Sequence, residues 1–308
     1  MMQRDELYDR VRNWMYRNAR PLDLARWQYH LEGGSKEAVI NILTSYQNED
    51  GGFGHALEAD AWNENSAPIQ VFHAIELLRE IDFSEEEHPL LRGMISYLAS
   101  GKDMEGELWL SNVPSNNHYP HAPWWEFGHP FSNHNPYNPT AGLIGFGLRY
   151  SRKHSELYDK CVDIARSALT YLFQEEDIDM HTLNCYIALL EYLEESKVEI
   201  GIALEAVREK LKELVRGAIT KDTASWATSY VCKPSQFFKT PHSIFYEDNK
   251  EIAAFEVEFI RNNRNPAGVW DVTWSWEAYS EEWVIAKSWW MGELVIRNMR
   301  YLKHFGGL

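Results

Sequence analysis

The sequence predicts an all-α fold, and three observations carry that expectation. Apolar residues recur at a spacing of three to four through nine segments. Stretches that alternate apolar and polar residues with period 2 for more than four positions are nearly absent, which leaves room only for short, peripheral strands. The joints between segments share a pattern, at a pitch of roughly 50 to 60 residues, the range of helical-hairpin arrays.

The segments follow in order. Residues 36–46 place Ala38, Val39, Ile42, Leu43 and Tyr46 on one helical face. Gln47-Asn48-Glu49-Asp50-Gly51-Gly52-Phe53-Gly54 then closes that helix with glycines, and Ser66-Ala67-Pro68 starts the next, with Ser66 as N-cap and Pro68 in the first turn. The same apolar pattern predicts helices over 67–81, 88–99, 139–151, 155–174, 180–195, 201–219, 249–262 and 281–303. Glu85-Glu86-Glu87 after Ser84 fits a helix start, where acids favour the positive end of the dipole. Asn263-Arg264-Asn265-Pro266-Ala267-Gly268-Val269-Trp270 repeats the first joint late in the chain, with weaker copies at 105–109 and 174–177. A hairpin alone cannot bury both of its apolar faces, so neighbours must stack or close into a ring. The expected organisation is one domain over 1–308, with N-terminal helices in 1–32 and helical-hairpin repeats in 33–308.

Gln47-x-x-x-Gly51-x-Phe53 resembles the Q-x-x-x-G-x-W repeat of squalene–hopene cyclases and the QNxDGGFGG repeat of protein prenyltransferase β subunits; Arg264-x-x-x-Gly268-x-Trp270 is a second copy with Arg in place of Gln. The motif order DGGFGHALEAD, HAPWW, NPTA and GVW…EEW…LKHFG is similar to that of uncharacterised bacterial prenyltransferase-like proteins over residues 30–306. The resemblance implies an α/α-toroid, inner helices ringed by outer ones, with a cavity lined by inner helices and the loops entering their N-termini. It implies far less about chemistry, because one architecture hosts many activities.

Composition narrows the partners. The chain has 308 residues, 30 Lys and Arg against 46 Asp and Glu, and a net charge of −16, which argues against nucleic acid and anionic membrane surfaces. No run of 18 apolar residues exists, so no transmembrane segment is expected. Three cysteines without a CxxC pair and a charged N-terminus point to a reducing cytoplasm. The expected partner is a small molecule in the toroid cavity. No cofactor is expected: Walker, GxGxxG, GxSxG, HExxH and DDxxD patterns are all absent.

Four constellations could carry chemistry. Asp177-Ile178-Asp179-Met180-His181-Thr182 starts the 180–195 helix and resembles the DxDD-T motif of class II terpene cyclases, which makes Asp179 the proton donor, although Met180 replaces the last acid; simple N-capping competes. His55, Glu58 and Asp60 follow the GGFG turn and offer a carboxylate pair for acid–base work. The long aromatic connection 110–138 holds His121, Trp124, Trp125 and Glu126, suited to a wall or lid over a ligand. Its His118-x-x-His121 could start a zinc site, but no further ligand follows at a customary spacing. Trp274, Trp276 and Trp283 form part of a C-terminal aromatic set that could face a ligand or fill a core. The leading expectation is a terpene-cyclase-like enzyme working by metal-free acid chemistry. A carbohydrate-active lyase or hydrolase, and a non-catalytic binding or scaffold protein, are the alternatives.

Overall fold

The structure is a computed structural model that describes residues 2–129 and 136–308. Its described residues form eleven α-helices and one antiparallel hairpin, β1 (Met104–Glu105) with β2 (Leu108–Trp109). All nine periodic segments are helices that end within a few residues of the predicted limits. Within the span read from the sequence as one domain, the chain gathers into two compact units, 44–218 and 1–43 with 219–308.

The 44–218 unit is built from α4 (Pro68–Glu80), α5 (Pro89–Ala99), α6 (Thr140–Tyr150), α7 (Glu156–Gln174), α8 (Met180–Ser196) and α9 (Leu204–Ala218). These alternate between two layers. α4, α6 and α8 are buried around most of their circumference and pack on one another, α6 against both neighbours. α5, α7 and α9 bury one stripe each and form a second layer, α7 between the other two. Small residues let α6 sit at the centre: a Cβ on Gly142 would lie 2.0 Å from the Phe72 ring of α4, and one on Gly147 2.7 Å from Cys161 Sγ of α7. The Tyr186 hydroxyl ties α8 to α7 by donating to the Ala168 carbonyl at 2.9 Å.

The other unit contains α1 (Met2–Asn18), α2 (Pro21–Trp27), a π-turn at Gln28–Glu32, α3 (Lys36–Leu43), α10 (Lys250–Asn262) and α11 (Ser280–His304). The 25-residue α11 packs against α1, α2 and α10. A buried charge network locks α2 to α11: Asp23 accepts from Arg20 at 2.8 Å and Arg26 at 3.2 Å, and Arg26 also pairs with Glu293. Burial pushes the Asp23 carboxyl up, and the two guanidinium groups pull it back.

Three local expectations differ from the structure. The N-cap of α4 is Ala67, with no side-chain bond; Ser66 donates its hydroxyl to Asp50 Oδ1 at 2.6 Å instead, because the acid of the preceding turn is the stronger acceptor. Glu85–Glu87 lie in a turn ahead of α5, whose cap is His88, with Nδ1 accepting from the Leu90 N–H at 3.2 Å. The segment 105–109 is the β1–β2 hairpin, not a copy of the glycine joint.

Candidate functional site

The Gln47 joint is a self-closing backbone turn. The Asn48 N–H donates to the Gly52 carbonyl at 2.9 Å, and the Gly51 N–H donates to the Asn48 carbonyl at 2.9 Å. Gly51 takes φ +85°, and a Cβ there would stand 2.0 Å from the Gly93 carbonyl oxygen, so only glycine fits. Gln47 fastens the turn to α5 by donating to the carbonyls of Gly51 and Leu90, each at 3.0 Å. The second copy has the same backbone: Asn265 N–H to Val269 carbonyl and Gly268 N–H to Asn265 carbonyl, both 2.8 Å, with Gly268 at φ +87°.

From the first turn the chain enters a loop that ends at α4. His55 and Ala56 both hold positive φ, 57° and 60°, a strained pair fixed by the His55 N–H bond to the Asn63 carbonyl at 2.8 Å. The His55 ring is exposed and bonds Asn48 Oδ1 through Nε2 at 2.9 Å. Beyond it the chain turns inward, and Glu58 and Asp60 are only 8% and 2% exposed. The Asp60 N–H donates to Glu58 Oε2 at 2.9 Å. Gln70, fully buried on α4, grips this loop from below: its Oε1 accepts the Glu58 N–H at 2.7 Å and its Nε2 donates to the Ala61 carbonyl at 3.0 Å.

The second loop, which leads to α6, pairs with the first. Ala61 and His121 form an antiparallel bridge, flanked by the Trp62 N–H to Pro120 carbonyl bond at 3.0 Å and the Ala122 N–H to Asp60 carbonyl bond at 2.8 Å. The structure therefore lays the 60–62 and 120–122 backbones side by side, and Glu58, Asp60 and His121 are each buried in this patch of paired loops, which lead into α4 and α6. His121 Nδ1 meets the Tyr119 carbonyl at 2.6 Å. Asn63 joins the loops again by donating to Ser115 and Asn116, and Asn116 and Asn112 in turn bond the carbonyls of Trp125 and Trp124. Trp125 packs on an apolar cluster of Ala67, Ile69 and Val113. Trp124 and Glu126 are exposed. His134, also on this loop, lies outside the described residues. Among the described residues, no group of three or more His, Cys, Asp or Glu is placed to hold a metal ion.

Asp179 is the N-cap of α8. Its Oδ1 accepts from the N–H groups of His181 and Thr182 at 2.9 and 3.2 Å, and its Oδ2 accepts the Thr182 hydroxyl at 2.6 Å. Asp177 and His181 are exposed beside it. Trp274, Trp276 and Trp283 belong to the other unit, where Trp274 stands edge-on to Trp290 at 5.3 Å and Trp276 tilts against Trp283 at 5.7 Å. The residues that the sequence reading missed are the organisers: Gln70, Asn63 and Asn116. Gln70 had a visible signal, a lone amide within the apolar run Pro68–Leu78. Asn63 and Asn116 had none, since their partners are some fifty positions away.

No protein-family model, no curated protein and no solved structure matches this chain. Among the described residues, no helix is long and apolar enough to cross a membrane.

Proposed function

We propose that this chain is a small-molecule enzyme of the terpene-cyclase-like kind, in which Glu58 and Asp60 supply acid–base chemistry with His121 beside them. One observation carries the reading: two carboxylates and an imidazole are each buried on loops about sixty residues apart that backbone bonds hold side by side, rather than left in solvent. The apolar cluster of Ala67 and Ile69, at the start of α4, with Val113 and Trp125 of the second loop supports a hydrocarbon substrate of isoprenoid type. We assign the acid role to this patch in preference to Asp179, whose oxygens are both engaged in capping α8. Closure of the helical layers into a toroid, and a cytoplasmic setting, belong to the same proposal.

A carbohydrate substrate is the second reading, favoured by the exposed indole of Trp124, a surface on which a sugar ring could stack. Native mass spectrometry of the protein purified from its host, followed by extraction, separates the two. A copurifying polyprenyl compound supports the first reading, and an oligosaccharide replaces it with the second. With that compound as substrate, Glu58→Gln and Asp60→Asn should each cut turnover by about a hundredfold or more while the far-UV spectrum is unchanged. Full activity in both variants overturns the assignment.

A further inference from the structure

The unit of residues 1–43 and 219–308 holds a cavity of about 240 Å³, bounded by α10, α11, the 233–235 segment and the second glycine turn. Two acids line it, and each already has a partner. Glu256 is 1% exposed; its Oε2 accepts the Ser235 N–H at 2.8 Å and its Oε1 the Ser235 hydroxyl at 2.6 Å. Asp271, at the rim, pairs instead with Lys287 at 3.7 Å.

Three cations border the same space: Lys233, Arg264 and Arg297. None of them makes an ion pair with any described residue. The Lys233 ammonium rests 5.2 Å from the Phe259 ring; burial and then the Arg297 charge lower its pKa to about 8, against the opposing pull of the Glu256 carboxylate. Arg297 gives Nη1 to Gln236 Oε1, while its Nε is buried without a partner. In a chain of net charge −16, three cations without a direct ion pair border one cavity, against two acids, Glu256 and Asp271, of which Glu256 acts on Lys233 and Arg297 only at longer range.

Arg264 shows how the third cation comes free. It occupies the position that Gln47 holds in the first turn. Gln47 uses its amide to fasten that turn, whereas Arg264 Nε donates back to the Arg261 carbonyl at 3.1 Å and the side chain borders the cavity. The second turn closes through its own backbone, so this exchange leaves its shape intact. The aromatic walls are apolar in effect, because Trp226 and Trp270 have committed their indole N–H groups to the Thr220 and Ile260 carbonyls.

We propose that this cavity binds a small organic carboxylate, its head group held by Lys233 and Arg297, its body against Trp226, Phe259 and Trp270, and Arg264 drawing it in at the mouth. A guanidinium edge presents parallel donors that match the two oxygens of a planar carboxylate, and aromatic walls suit a ring-bearing acid. The site is independent of the Glu58 patch and of any reaction there.

Isothermal titration calorimetry on the full chain at pH 7 tests it, with benzoate, phenylacetate and cyclohexanecarboxylate as probes, their amides as neutral isosteres, and inorganic phosphate as the rival anion. At least one acid should bind with Kd below about 1 mM and at least about tenfold tighter than its amide. Arg297→Gln should weaken it by about tenfold or more, and Arg264→Gln, an exposed change that leaves folding alone, by about threefold. The proposal is overturned if no acid binds, if the amides bind as well, if phosphate binds more tightly, or if Arg264→Gln and Arg297→Gln, each with its fold intact, bind as the parent does.

Discussion

Asp179 shows how one side chain can satisfy two descriptions that a mutation separates. As the cap of α8 it accepts two backbone N–H bonds through Oδ1. Asp179→Asn keeps that acceptor and should cost only a few tenths of a kcal/mol, whereas Asp179→Ala removes it and should cost about 1 kcal/mol, both read from urea unfolding. Gln70 is a sharper case. It is buried and satisfies a donor and an acceptor of the Glu58 loop at once. Gln70→Leu leaves both groups unpaired and should destabilise by about 2 kcal/mol or more, with loss of any activity that depends on Glu58. A loss of stability no larger than that of a surface substitution would show that water replaces the amide. The residues that bear charge in the Glu58 patch were legible in the sequence, because acids and a histidine beside a glycine turn are unusual. Their joining was not, because backbone bonds between 58–62 and 120–122 leave no trace in residue type.

At the level of elements, the periodic segments were legible almost to their ends, since a 3.6-residue pattern is a property of the chain itself. What failed was the detail of starts. Ser66 has the composition of a cap, yet Asp50 takes its hydroxyl. Asp50 in turn feels burial pushing its carboxyl up, and bonds from Lys102, Ser66 and the Gly52 N–H that outweigh it and hold it low. A lowered carboxyl contributes stability that is present above its unfolded pKa and is lost as pH falls through the folded one. The glycine turn should therefore loosen on acidification below about pH 4, and Asp50→Asn should flatten that limb of the stability–pH curve. Gly51→Ala should do more at any pH. Positive φ and the Gly93 carbonyl both oppose a Cβ, so a loss of about 2 kcal/mol or more is expected, seen as a fall in Tm of several degrees.

For the whole molecule, the sequence did not disclose the division into two units, because the boundaries at 43–44 and 218–219 carry no linker composition. The unit of 44–218 is continuous, with its hairpins made of sequence neighbours. Removing 219–308 should leave its helices folded, and pulsed hydrogen exchange should find protected amides in α6 and α8 of that fragment. The other unit is split, and the split has a consequence for how the protein is made. Helices α1 and α2 are translated before the 44–218 unit, but the α11 surface they pack on is translated after it. During synthesis their buried apolar residues, Val11, Met15, Leu22 and Trp27 among them, must wait through the 252 residues that separate α2 from α11. At an elongation rate of roughly 5–20 residues per second, that is a delay of about ten seconds or more on the ribosome. These helices are thus made early and sheltered late, and the nascent chain should be a client for chaperones until α11 emerges.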